Sequence, residues 1–63
     1  MRDAQVHDLS AAIAAAQLER QRLRELGAGR PALERNRREL VRLQQELSRA
    51  LIELYGPAAR QAA

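Results

Sequence analysis

Cysteine is absent from this chain of 63 residues, and so are lysine, phenylalanine and tryptophan. Without cysteine there is no disulfide, no thiolate ligand and no thiol nucleophile. The single histidine, His7, cannot build a structural zinc site within one chain. It follows Asp3 by four residues, which offers two ligands at most, and the Glu-x-x-His spacing of di-metal bundles is missing. No metal or cofactor is expected. Tyr55 is the only aromatic residue, so stacking against unpaired nucleic-acid bases is unsupported. The longest apolar run, residues 11–16, is far short of the ~20 residues a membrane helix needs. No basic segment leads into a long apolar stretch, as a secretory signal requires. A cytoplasmic protein with no membrane contact is the expectation.

Catalytic groups are equally sparse. Ser10, Ser48 and Tyr55 carry hydroxyls, but none has a base near it in the sequence. A non-enzymatic protein is expected, with no catalytic residues to assign.

Glycine and proline punctuate the chain in only two places. The first is "LGAGRP", residues 26–31, where Gly27 suits the left-handed position after a helix and Pro31 the first turn of the next. The second is "YGPA", residues 55–58. The residues between these breaks are mostly alanine, leucine, arginine, glutamate and glutamine, which favour helix. The pattern predicts a first helix at about residues 3–26, a hinge at 27–30, a second helix at about 31–55 and a flexible tail at 56–63.

Both helices carry a heptad row. In the second, Leu33, Asn36, Leu40, Leu43, Leu47, Ala50 and Leu54 alternate intervals of three and four. In the first, Val6, Leu9, Ile13, Ala16, Arg20 and Leu23 do the same. Doubling the chain back at Ala28 pairs residues whose numbers sum to 56. Leu23 then meets Leu33, Ala16 meets Leu40, Ile13 meets Leu43, Leu9 meets Leu47 and Val6 meets Ala50. An all-α antiparallel hairpin follows, held by a coiled-coil-like seam. One layer, Arg20 with Asn36, is polar. Arg20 is expected to carry its charge out to solvent, with a hydrogen bond across the layer as the alternative.

A chain this short rarely stabilises itself by one core. Apolar residues also remain outside the seam, notably Ala11, Ala15 and Leu18 on the first helix and Val41 and Ile52 on the second. They are read as an oligomer or partner face, and a homodimeric four-helix bundle is expected, with a hetero-oligomer as the alternative.

All eleven basic residues are arginine, which together with the alanines reads first as codon bias. On the second helix Glu34–Arg38, Arg35–Glu39, Arg42–Glu46 and Arg49–Glu53 are spaced for ion pairs one turn apart. The net charge of +3 gathers near the hinge, where Arg30, Arg35, Arg37 and Arg38 are candidates for binding an anionic partner such as RNA, DNA or a nucleotide. In outline the hairpin resembles the small two-helix protein of the large ribosomal subunit, by architecture and by its arginine-rich second helix. It departs from that protein in having no lysine, and the likeness goes no further. The expected function is that of a small helical interaction or regulatory protein with a protein partner, and anion binding at the hinge end is the alternative.

Overall fold

The computed structural model describes residues 2–56, with side chains from residue 4 onward. Two helices, α1 at Arg2–Glu25 and α2 at Arg30–Tyr55, pack against each other, and no strand occurs among the described residues. The helices lie within one residue of the predicted bounds at each end. The predicted tail beyond Gly56, and the side chain of Asp3, lie outside what is described.

Backbone hydrogen bonds explain where α1 stops. The N–H of Gly27 donates to the Arg24 carbonyl at 3.1 Å, and that of Ala28 to the Leu23 carbonyl at 2.8 Å. This pair of bonds is the Schellman arrangement, and it requires a left-handed residue where Gly27 stands, with φ of 68°. Gly29 then caps α2 with extended backbone at φ −72° and ψ 168°, and Pro31 follows in the first turn. At the far end Gly56, φ 81°, closes α2 through its N–H to the Ile52 carbonyl.

The core lies along the seam. Leu9, Leu43 and Ala50 are buried, and Val6, Ala12, Ile13, Ala16 and Leu47 pack against them. Leu23, Leu33, Leu40 and Leu54 are half-buried toward the two ends. Ala12 is a seam neighbour that the heptad row omits. It stands one residue from Ile13 and widens the buried stripe on one side.

The polar layer is built differently from the pairing expected. Asn36 is buried, and its Nδ2 donates to the Ala16 carbonyl across the seam at 2.9 Å. Helix carbonyls point toward the C-terminus, so that of Ala16 reaches the level of Arg20, and an acceptor with two lone pairs can take a second donor. The alanine side chain leaves the approach open. Arg20 is half-buried rather than projected into water. Its Nη1 and the Asn36 Oδ1 are both buried without a hydrogen-bond partner. The layer therefore fixes register at a cost in stability.

Three buried hydrophobic side chains make a thin core, and the shape shows why. The Cα radius of gyration is 14.3 Å, against about 11 Å for a compact chain of this length. Two rods in contact along one line bury one stripe each and leave the rest in water.

Two predictions follow from these local geometries. Gly27→Ala has open space around the added methyl yet must hold a positive φ, so it destabilises the hairpin by ~1 kcal/mol. Gly29→Ala meets only the Pro31 ring at 3.6 Å in ordinary backbone, so it escapes the positive-φ cost; the entropy gain in the unfolded chain is offset by alanine's poor fit as an N-cap, and the net change stays within ~0.5 kcal/mol. Urea unfolding of both variants checks the contrast. Asn36→Leu removes a buried unpaired oxygen and adds apolar contact, raising the melting temperature; an unchanged or lower value would mean that the Ala16 bond outweighs both gains.

Candidate interaction surface

Closing the seam leaves each helix an outward edge, and the two edges point away from each other. Counting 100° per residue, Leu18 lies about 180° round α1 from Leu9, with Ala11 and Ala15 at about 160° and 120°. Val41 and Ile52 lie about 160° and 180° round α2 from Leu43. The five residues expected to form one face therefore stand on two separate edges, with the seam between them. Leu18 is 64% exposed and Val41 39%, whereas Ile52 is half-buried. Ala11 and Ala15 are exposed.

The edges differ in charge. From Ala4 to Gln21 the outward residues of α1 are Ala4, His7, Ala11, Ala14, Ala15, Leu18 and Gln21, with no arginine, aspartate or glutamate among them. Past Gln21 the outward residues Arg22 and Glu25 interrupt the apolar surface before Leu26, 77% exposed, at the hinge. On α2 the outward residues include Glu34, Arg37 and Arg38 before Val41 and Arg49 between Val41 and Ile52, with Arg42 at the margin as Asp8 is on α1. A groove along this second edge is walled by Val41, Gln44, Gln45, Ser48, Arg49 and Ile52. A neighbouring helix would desolvate charge on α2 and almost none on α1, so α1 is the less costly edge to cover.

The arginines near the hinge do not converge. Arg37 forks onto Glu34, its Nε donating to both carboxylate oxygens at 3.2 and 3.1 Å and its Nη2 to Oε1 at 2.7 Å. Arg38 stands 3.7 Å from the same carboxylate. Arg30 and Arg35 form no ion pair among the described residues, and Arg35 lies about 160° round the helix from Arg37. A shallow groove near the hinge has Ala16, Leu23 and Ala32 at its base, with Glu19, Arg35, Asn36 and Glu39 also lining it. Acidic groups thus accompany the basic ones here, and an anion would meet carboxylates as well as guanidinium groups.

Two of the expected one-turn pairs form, Arg42–Glu46 and a longer Glu34–Arg38, and two further pairs form at three residues. Arg42 bridges Glu39 behind it and Glu46 ahead of it. Glu39 is thereby occupied, and the expected Arg35–Glu39 pair does not form. Arg42 and Arg37 each favour a partner three residues earlier, which helix geometry permits equally.

These contacts move the acids. The hydrogen bond from Arg37, helped by the nearby charges of Arg37, Arg38 and Arg20, holds the Glu34 carboxyl below its ordinary value of 4.5. The Arg42 hydrogen bond does the same for Glu39. A lowered carboxyl pKa stabilises the fold above the ordinary carboxylate range, and that contribution is lost as pH falls through the lowered value. Both pairs are exposed to solvent, so the effect on stability is small and salt-sensitive. Carbon NMR of the side-chain carboxyls should therefore place the Glu34 and Glu39 midpoints below 4.5, with Arg37→Gln returning Glu34 toward that value. A Glu34 midpoint that ignores the substitution would remove Arg37 as the cause.

Among the described residues no group of three or more histidine, aspartate or glutamate side chains is placed to hold a metal ion. No helix there is long and apolar enough to cross a membrane. Compared with known proteins, the chain matches no family model, no curated protein and no solved structure.

Proposed function

We propose that this chain is a non-enzymatic helical module that works by pairing with other helices, its own copies included, through the outward edge of α1. The observation that carries this reading is the uncharged run on that edge, Ala4 to Gln21, with Leu18 64% exposed toward its hinge end. Large apolar side chains on a helix that already has one partner expect a second. The thin core supports it, because a hairpin with three buried hydrophobic residues gains most from further burial. The role is that of an assembly subunit, an adaptor or a small regulator that masks a partner's helix. A cytoplasmic setting is part of this reading, and the four helices of a self-paired dimer would lie side by side, each α2 outermost, instead of around the shared core of a four-helix bundle.

A second reading is favoured by the surplus of arginine in the hinge half. There seven arginines, residues 20 to 38, face Glu19, Glu25 and Glu34. Arg30 and Arg35, with Arg22 and Arg24, would make the first contacts with an anionic partner through shape and charge alone. Salt separates the two readings: phosphate binding weakens steeply as salt rises, whereas helix pairing along an apolar edge does not.

Leu18→Glu is the direct test. It should leave the far-ultraviolet circular dichroism helical while sedimentation shows the associated species lost, because two carboxylates would be buried against alanines. The same oligomer before and after the change would mean that α1's outer edge is not the contact.

A further inference from the structure

We infer that the helix pairing at α1's edge is with a second copy of this chain, set antiparallel, with α1 crossing α1 near Ala15. This rests on the helix-pairing reading and adds the partner, its direction and its register. The starting point is a second row on α1. Ala4, Asp8, Ala11, Ala15, Leu18 and Arg22 recur at alternating intervals of four and three, the spacing of a continuous seam. None of them belongs to the seam with α2, and the five from Asp8 onward are all exposed.

Charge decides the direction. The row holds one acid near its start and one base near its end, Asp8 and Arg22, and neither forms an ion pair within the chain among the described residues. A parallel two-fold pair sets Asp8 beside Asp8 and Arg22 beside Arg22. Turning one copy over about Ala15 sets Arg22 against the partner's Asp8, twice by symmetry. The same operation brings Leu18 beside the partner's Ala11, one residue off direct opposition, a large side chain next to a small one, as close packing prefers. Alanine at the crossing point allows the two backbones to approach.

The rest of the molecule agrees with that direction. The hinge half carries seven arginines against three glutamates. The open half, residues 2–17 and 39–55, carries Arg2, Arg42 and Arg49 against Asp3, Asp8, Glu39, Glu46 and Glu53. Antiparallel copies place the basic end of each beside the acidic end of the other, and parallel copies place like beside like.

A charge-swap cycle tests the direction. Asp8→Arg and Arg22→Asp are made singly and together, and the dimer dissociation constant of each is measured by sedimentation, with helicity checked by circular dichroism. Each single variant turns two attractive pairs repulsive and should loosen the dimer roughly tenfold. The double variant restores opposite charges at both sites and should return to within about threefold of the unaltered chain. A dimer indifferent to the swaps, or a double variant as weak as either single, overturns the antiparallel register while helix pairing stands. An unaltered chain that is monomeric at millimolar concentration overturns the self-pairing itself, and its recovery on a different helical protein would confine the failure to the choice of partner.

Discussion

The contact of Leu9, Leu43 and Ala50 across one line sets the terms for everything else in this molecule. Two helices joined by a short turn touch along a single stripe, and a stripe cannot enclose a side chain on all sides. None of the side chains described is fully buried. Length does not mend this, since extending both helices extends the stripe and its exposed flanks together. Stability beyond the seam must come from the turn or from another surface. The turn contributes through Gly27, whose left-handed backbone lets the last carbonyls of α1 be satisfied without side chains.

The polar layer shows how specificity and stability diverge in so thin a core. Asn36 spends a buried position on one hydrogen bond to a backbone carbonyl, and leaves its own oxygen unpaired. A leucine there would bury more apolar surface. It would also remove the one seam position whose partner lies at a fixed height on α1, and a seam of leucines and alanines slides more easily than one holding a directional bond. Arg20 sits half-buried in the same layer and places its charge where Glu34 on α2 feels it. The two helices are thus tied near the hinge by direction and charge, and in the middle and open end by packing.

The helices were legible because their boundaries are written in residue types that act locally. Gly27, Pro31 and Gly56 each meet a backbone requirement that few other residues can, and the segments between them contain no other strong breaker. The buried row was legible for a similar reason, since a period of three and four leaves little choice of which face turns inward. What the sequence hid lies one level up. The acceptor for Asn36 is a backbone carbonyl, which a wheel of side chains does not display. Arg37 reaches Glu34 at three residues and not four, a choice made by side-chain rotamers that spacing alone leaves open. Leu18 and Val41 are both apolar and both outside the seam, so residue spacing alone groups them on one surface. Only the packed pair shows that they face opposite ways, and with that the difference in charge between the two edges becomes visible.

That difference bears on what the arginines do to each edge. An exposed ion pair within a helix is worth ~0.5 kcal/mol or less, so the Glu34 and Arg42 networks add little to stability. Their larger effect is on what can approach. A helix laid along α2's outer edge must strip water from Arg38, Arg42 and Arg49 and compete with carboxylates already bound to Arg42. Along α1 the same helix displaces water from alanine and leucine. Covering an apolar side chain the size of leucine gains about 2 kcal/mol, whereas leaving a charge buried and unmatched costs several. On the pairing proposed above, the arginines of α2 would act by exclusion, keeping one edge wet and leaving association to the other.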